Sequence, residues 1–252
     1  MARSSTYAIG AFALVLIGTA CGSATARETA PATTRATAPT TTTAPVTTTT
    51  TAPKATNQKV DTDLSGEPGV TPAELTRAET LLRSTIADLP KYDSTASAEA
   101  AGYHTIGDSF TGDEHYVNWA YVNDGKTLDP QKPESLVYEW RNGKQRVVAA
   151  MYMLPFGSHF TDIPDVGGPL TQWHVHRDLC LTNNPVQKVV AGLTSLDGQC
   201  PPGTEKAGDT PMLHVWIVPN PCGPFAALEG VGAGQVAPGQ TRLCDTKHGA
   251  VS

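Results

Sequence analysis

SLVYEWRNGKQRVVAAMYML, residues 135–154, decides the fold class. Two runs rich in β-branched and aromatic residues flank a turn pair, Asn142-Gly143. The stretch predicts a β-hairpin, with strands at SLVYEW (135–140) and QRVVAAMYML (145–154). Downstream, QWHVH (172–176), KVVAGLT (188–194) and MLHVWIV (212–218) repeat the same β-rich composition, with Gly and Pro punctuating residues 155–240. Upstream, HYVNWAYVN (115–123) reads as a further strand ending at a turn, Asn123-Asp124-Gly125-Lys126.

Before the strands, the period changes. Thr71-Pro72-Ala73-Glu74 forms a capping box with Pro at the first helical position. Leu75, Ala78, Leu82, Ile86 and Leu89 then recur at helical spacing until Pro90 stops the run. A shorter helix is expected over 94–101, ended by Gly102. No βαβ alternation follows, which argues against a parallel sheet. The fold class expected is mainly β (α+β): an antiparallel sheet, sandwich or barrel, with one or two N-terminal helices.

Strand periodicity sorts the histidines. Alternate side chains share a face, so Gln172, His174, His176 and Asp178 point one way while Trp173 and Val175 point the other. In MLHVWIV, Leu213, Val215 and Ile217 form the apolar face, and Met212, His214 and Trp216 lie opposite. Histidines two apart on a strand sit roughly 7 Å apart at Cα, close enough for both rings to lean onto one ion. His214 from a neighbouring strand supplies a third nitrogen, leaving a fourth position for water. His115 is a candidate fourth ligand, with Glu114 or Asp178 to orient the rings. Three neutral imidazoles suit a divalent zinc, copper or iron ion. The competing structural reading is a polar strand face turned to water, with His214 packed beside Trp216.

The chain ends add location. MARSSTYAIGAFALVLIGTACGS opens with one basic residue, Arg3, then an apolar run from Tyr7 to Ile17, small residues and Cys21. That is the pattern of a secretory signal peptide over 1–20. Gly18-Thr19-Ala20-Cys21 resembles a bacterial lipobox with Gly18 in place of the usual Leu, which implies lipidation of Cys21. Of the 34 residues 24–57, 15 are Thr, 9 Ala and 4 Pro. Such a segment cannot bury enough apolar surface to offset its ordering entropy, so 21–57 reads as a lipidated Cys and a disordered tether. Residues 58–252 are then one domain. Without Arg3 the chain carries 17 basic against 24 acidic residues, net −7, with no basic cluster, which argues against nucleic acid. The partner implied is a membrane, through the N-terminal lipid, on the extracytoplasmic face of the cell membrane; without lipidation the chain would be secreted.

Cys180, Cys200, Cys222 and Cys244 are an even set in an exported domain and read as two disulfides. Of three connectivities, the one closing two local loops is expected: Cys180 with Cys200, Cys222 with Cys244.

Three resemblances bear on function. Gly168, five residues, then His174-Val175-His176 resembles the opening of the first cupin motif, although Leu179, Cys180 and Leu181 stand where its Glu belongs. The likeness implies an antiparallel β barrel or sandwich with a His-rich site. Gly107-Asp108-Ser109 resembles the nucleophile block of GDSL-type esterases, and Asp245-Thr246-Lys247-His248 the block supplying their acid and base. It implies a secreted hydrolase with Ser109 attacking, His248 as base and Asp245 orienting it. Finally AAGY (100–103), EHYVNW (114–119), LDPQKPESLVYE (128–139), VVAAMYMLP (147–155) and LHVWIVPNPCGPFA (213–226), with the late Cys244, are together similar to a family of bacterial exported lipoproteins of the actinobacterial type. Relatives of that kind often carry an acidic residue in the segment where this chain has Met151. The family implies an extracytoplasmic domain with His115 and His214 inside shared motifs, and no activity. Three readings compete: a lipid-anchored metal-binding domain, an esterase, and a structural or partner-binding lipoprotein without metal. The first is preferred.

Overall fold

A computed structural model of the chain describes residues 59–184, 187–228 and 233–244. The signal peptide, Cys21, the tether, Asp245 and His248 lie outside the described residues.

The capping box behaves as its chemistry dictates. Thr71 accepts from the Glu74 amide and Glu74 from the Thr71 amide, and α1 runs Pro72–Asp88. Ala78, Leu81, Leu82 and Thr85 form its buried face. Thr85 Oγ1 lies 2.7 Å from the Tyr152 hydroxyl and so ties helix to sheet. After a 3-10 turn at Leu89–Tyr92, α2 covers Thr95–Ala100 and ends at Gly102, whose φ of 88° is left-handed.

The strands are β1 His104–Thr105, β2 Glu114–Val117, β3 Ser135–Arg141, β4 Lys144–Met153, β5 His174–Val175, β6 Leu179–Thr182, β7 Val190–Leu193, β8 Thr204–Lys206, β9 Met212–Trp216 and β10 Gln235–Val236. The hairpin β3–β4 turns at Asn142-Gly143, both with positive φ. It is the centre of a seven-stranded antiparallel sheet in the order β1-β2-β3-β4-β9-β5-β10. A second sheet has the order β7-β6-β8. The large sheet has two free edges, so the architecture is a two-sheet sandwich and not a closed barrel.

HYVNWAYVN does not stay extended. β2 stops at Val117, and Trp119–Val122 forms a helical turn, α3. The reason is local: the Asn118 side chain accepts from the amides of Ala120 and Tyr121, an N-cap that overrides β propensity. QWHVH keeps only His174–Val175 as strand.

Pleating divides the core. Tyr116, Leu136, Tyr138, Tyr152, Leu213 and Val215 pack toward α1. Their neighbours Val117, Val137, Met151, Met153, Met212 and Trp216 face the other side and form a second core. The histidines lie on that second side. Cys180 pairs with Cys200 and Cys222 with Cys244, at Cα separations of 5.5 and 4.6 Å. Among the described residues no helix is long and apolar enough to cross a membrane.

Candidate metal centre

His214 on β9 sits at the middle of the site because β9 lies between β4 and β5. On one side Met151 of β4 is its cross-strand partner; on the other, β5 brings His174 opposite Met212. His115 reaches in from β2, and His176 follows β5. All four rings are removed from water: His174 and His214 are 0% exposed, His115 4% and His176 5%. The wet-face reading is thereby corrected. The strand face that carries the histidines is covered.

The rings form a chain of contacts. His115 Nε2 lies 3.1 Å from His214 Nε2. The His214 ring stacks on His174 with centroids 4.9 Å apart, and His174 meets His176 edge-on at 5.1 Å. Asp108 anchors one end: its Oδ2 accepts from His115 Nδ1 at 2.6 Å, and its Oδ1 from the His115 amide at 2.9 Å. The other end is weaker, with His174 Nδ1 donating to the Gln172 carbonyl at 3.4 Å.

These contacts fix tautomers. A carboxylate and a carbonyl only accept, so both Nδ1 atoms carry hydrogen and Nε2 is the lone-pair position of each neutral ring; that of His115 faces His214. That is the arrangement by which carboxylates and carbonyls orient metal-ligating histidines. His174 Nε2, His176 Nδ1 and His214 Nδ1 are buried with no hydrogen-bond partner, as is Asp178 Oδ1. Orphaned buried polar atoms are costly, so four of them in and beside one cluster mark a place where a ligand or water would find ready partners.

Electrostatics splits the cluster. Burial strongly disfavours charge on His174 and His214, and the neighbouring histidines add to it, so both are held well below the usual imidazole range. Burial, then the His115 charge, brings His176 down to about 4. Burial opposes charge on His115 as well, but the Asp108 carboxylate prevails and raises it. Asp108 is correspondingly lowered by His115 despite its own burial. As imidazolium, His115 donates Nε2–H to His214 Nε2. A metal cation in place of that proton would meet two lone pairs 3.1 Å apart. Two nitrogens about 2.0–2.1 Å from one tetrahedral ion are separated by roughly 3.3 Å, so this pair fits.

The remaining two rings do not yet converge on that point. Among the described residues no three His, Cys, Asp or Glu side chains stand in a metal-holding group. His174 stacks on His214, at 14° between planes, rather than aiming a nitrogen at the same point.

Beside the cluster lies a cavity of about 450 Å³ between the two sheets, walled by His115, His176, Met151 and Met153 and by Leu179 and Leu181 of β6. Trp119 stacks on the half-exposed Phe156 at its wall.

Sequence reasoning placed the four histidines together and missed their orienter. Glu114 is engaged elsewhere, accepting from Thr105 and Gln145. Asp108 does the work, and its only sequence signal was the acidic residue inside Gly107-Asp108-Ser109. Ser109 itself is exposed in a 3-10 turn, with Asp108 committed to His115 rather than to an acyl-transfer site. Compared with known proteins, the chain matches no protein-family profile, no curated protein and no solved structure.

Proposed function

We propose that this is an extracytoplasmic domain of a lipid-anchored envelope protein, of the exported family its motifs resemble, that binds one transition-metal ion through His115 and His214 with His174 and His176 completing the set. The observation that carries the reading is the pair of facing Nε2 atoms 3.1 Å apart, one of them oriented by a buried carboxylate. Four buried rings beside one cavity, three with unpartnered nitrogens, support it. Binding requires the His174 and His176 rings to turn from their present stacking and edge contacts toward the facing pair. The two disulfides suit an oxidising compartment. The lipobox-like Cys21 and the Thr/Pro/Ala composition of residues 24–57 support the lipid-anchored reading.

The test is metal content of the full chain purified without an affinity tag, followed by titration with Zn(II) and Cu(I). About one ion per chain is expected, and His214→Ala should lose at least roughly nine-tenths of it, because it removes one of the two facing nitrogens around which the site is built. Unchanged stoichiometry in a folded His214→Ala variant would overturn the reading, as would a wild-type chain that takes up neither ion.

A further inference from the structure

We propose that the ion is a soft monovalent one, Cu(I) in chemical class, and that the thioethers of Met151, Met153 and Met212 select it. The proposal rests on the metal reading above and adds its ligand chemistry. The chain has 4 methionines, and the three after Met1 all line the cavity that His115 and His176 also line.

Strand register explains how they meet. Met153 pairs with Met212, Met212 with His174, and Met151 with His214. Directly opposed residues have Cβ atoms about 4.5–5.5 Å apart, so sulfur and imidazole occupy adjoining positions on one patch of sheet. Methionine is a common filler of irregular cores, and a filler has no reason to prefer one face. Here the preference is complete. The core toward α1 is built from Tyr, Leu, Val, Ala, Phe and Trp with no methionine, while the core on the histidine side holds all three.

The donor set discriminates between metals. Thioethers are soft ligands that favour Cu(I), whereas zinc prefers imidazole, thiolate or carboxylate. The domain's thiols are closed off, since Cys180, Cys200, Cys222 and Cys244 are paired in disulfides. The buried carboxylate of Asp108 is held by His115 and orients it. Of the other charged groups lining the cavity, Lys188 is paired with Glu205 and Asp209 with Arg177, so the donors beside the histidines are the three thioethers. Three rotatable bonds let each sulfur follow an ion without moving its strand.

Ag(I), which matches Cu(I) in softness and needs no reductant that could open the disulfides, is the probe. It is titrated into the full chain carrying methyl-labelled methionine and followed by NMR, with Zn(II) titrated in parallel. The methyl signals of Met151, Met153 and Met212, assigned through single leucine variants, are expected to shift and saturate near one equivalent of Ag(I). The variant Met151→Leu/Met153→Leu/Met212→Leu conserves core volume. It should bind Ag(I) at least roughly tenfold more weakly, a difference of about 1.4 kcal/mol, with its Zn(II) affinity unchanged. If the triple variant does not fold, each single leucine variant is expected to weaken Ag(I) binding on its own. Equal Ag(I) affinity in wild type and variants overturns the assignment. Saturation by Zn(II) with no response to Ag(I) also overturns it and leaves the metal site standing. A chain that binds neither ion removes both proposals together.

Discussion

At the scale of single residues, Asp108 separates a cluster of histidines from a site. Burial holds three of the four rings low, with Asp178 and Asp108 only partly opposing it at His176; His115, hydrogen-bonded to the Asp108 carboxylate, is the one that is raised. Asp108 holds that ring by two bonds, to Nδ1 and to the amide of the same residue. Asp108→Asn removes the charge and keeps the size. An amide oxygen accepts less strongly, and its NH2 cannot replace the second acceptor. The variant should lose about 1.5–3 kcal/mol of stability, as a buried charge-assisted hydrogen bond does. Metal affinity should fall by roughly 10–100-fold, as when the outer partner of a ligating histidine is lost. Titration well below the variant's melting temperature separates the two effects. A folded Asp108→Asn protein with wild-type affinity would show that Asp108 only supports the fold.

At the scale of elements, the shortest strands position the most chemistry. β5 is two residues long, and β10 seals it against the solvent side. The seal is tight because Gly234, just before β10, has no side chain. A Cβ there would lie 2.7 Å from the Val175 carbonyl oxygen, 2.9 Å from His176 Cε1 and 3.0 Å from His174 Cδ2, at a φ of +75°. Gly203, before β8, has a similar φ of +82° with nothing within 4 Å of a built Cβ, so it reports backbone strain alone. Gly234→Ala should therefore destabilise by more than ~1 kcal/mol and by more than Gly203→Ala, measured by urea unfolding. It alone of the two should lower metal uptake. Equal costs would mean that β10 yields and the histidines are not clamped. These elements also mark where sequence reading ended. The β3–β4 hairpin and α1 were legible because long periodic runs and a capping box act locally. Two-residue strands have no period to read, and α3 depended on a single Asn118 cap inside a run of strand-forming residues. The contact between Asp108 and His115 spans seven residues and exists only once β1 and β2 pair.

At the scale of the whole molecule, one sheet serves two cores, and they are not equally secured. The core toward α1 is held by a capped 17-residue helix and a tyrosine-rich sheet face. The cavity side is covered by three strands of four residues or fewer, β6, β7 and β8. That small sheet meets the loop after β1 through one backbone bond, Val190 N to Ile106 O at 2.7 Å. So small a sheet cannot supply much stability by burial, and the Cys180–Cys200 bridge fits that need. It starts in β6 and closes a sequence separation of 20 residues. Constraining a loop of that length in the unfolded chain is worth about 3 kcal/mol. The pairing was readable from sequence because local loops are the easiest to close, whereas its purpose depended on seeing which strands it holds. Replacing both cysteines, Cys180→Ala/Cys200→Ala, should cost about that amount in equilibrium unfolding. The loss should be uneven. Amide hydrogen exchange should quicken first in β6 and β8, while α1, β3 and β4 keep their protection relative to global unfolding. Because Leu179 and Leu181 wall the cavity, the histidines should then exchange metal faster at the same stoichiometry. Uniform acceleration across both cores would show instead that the two sheets open as a single unit, and that the bridge stabilises the whole fold rather than the cover of the site.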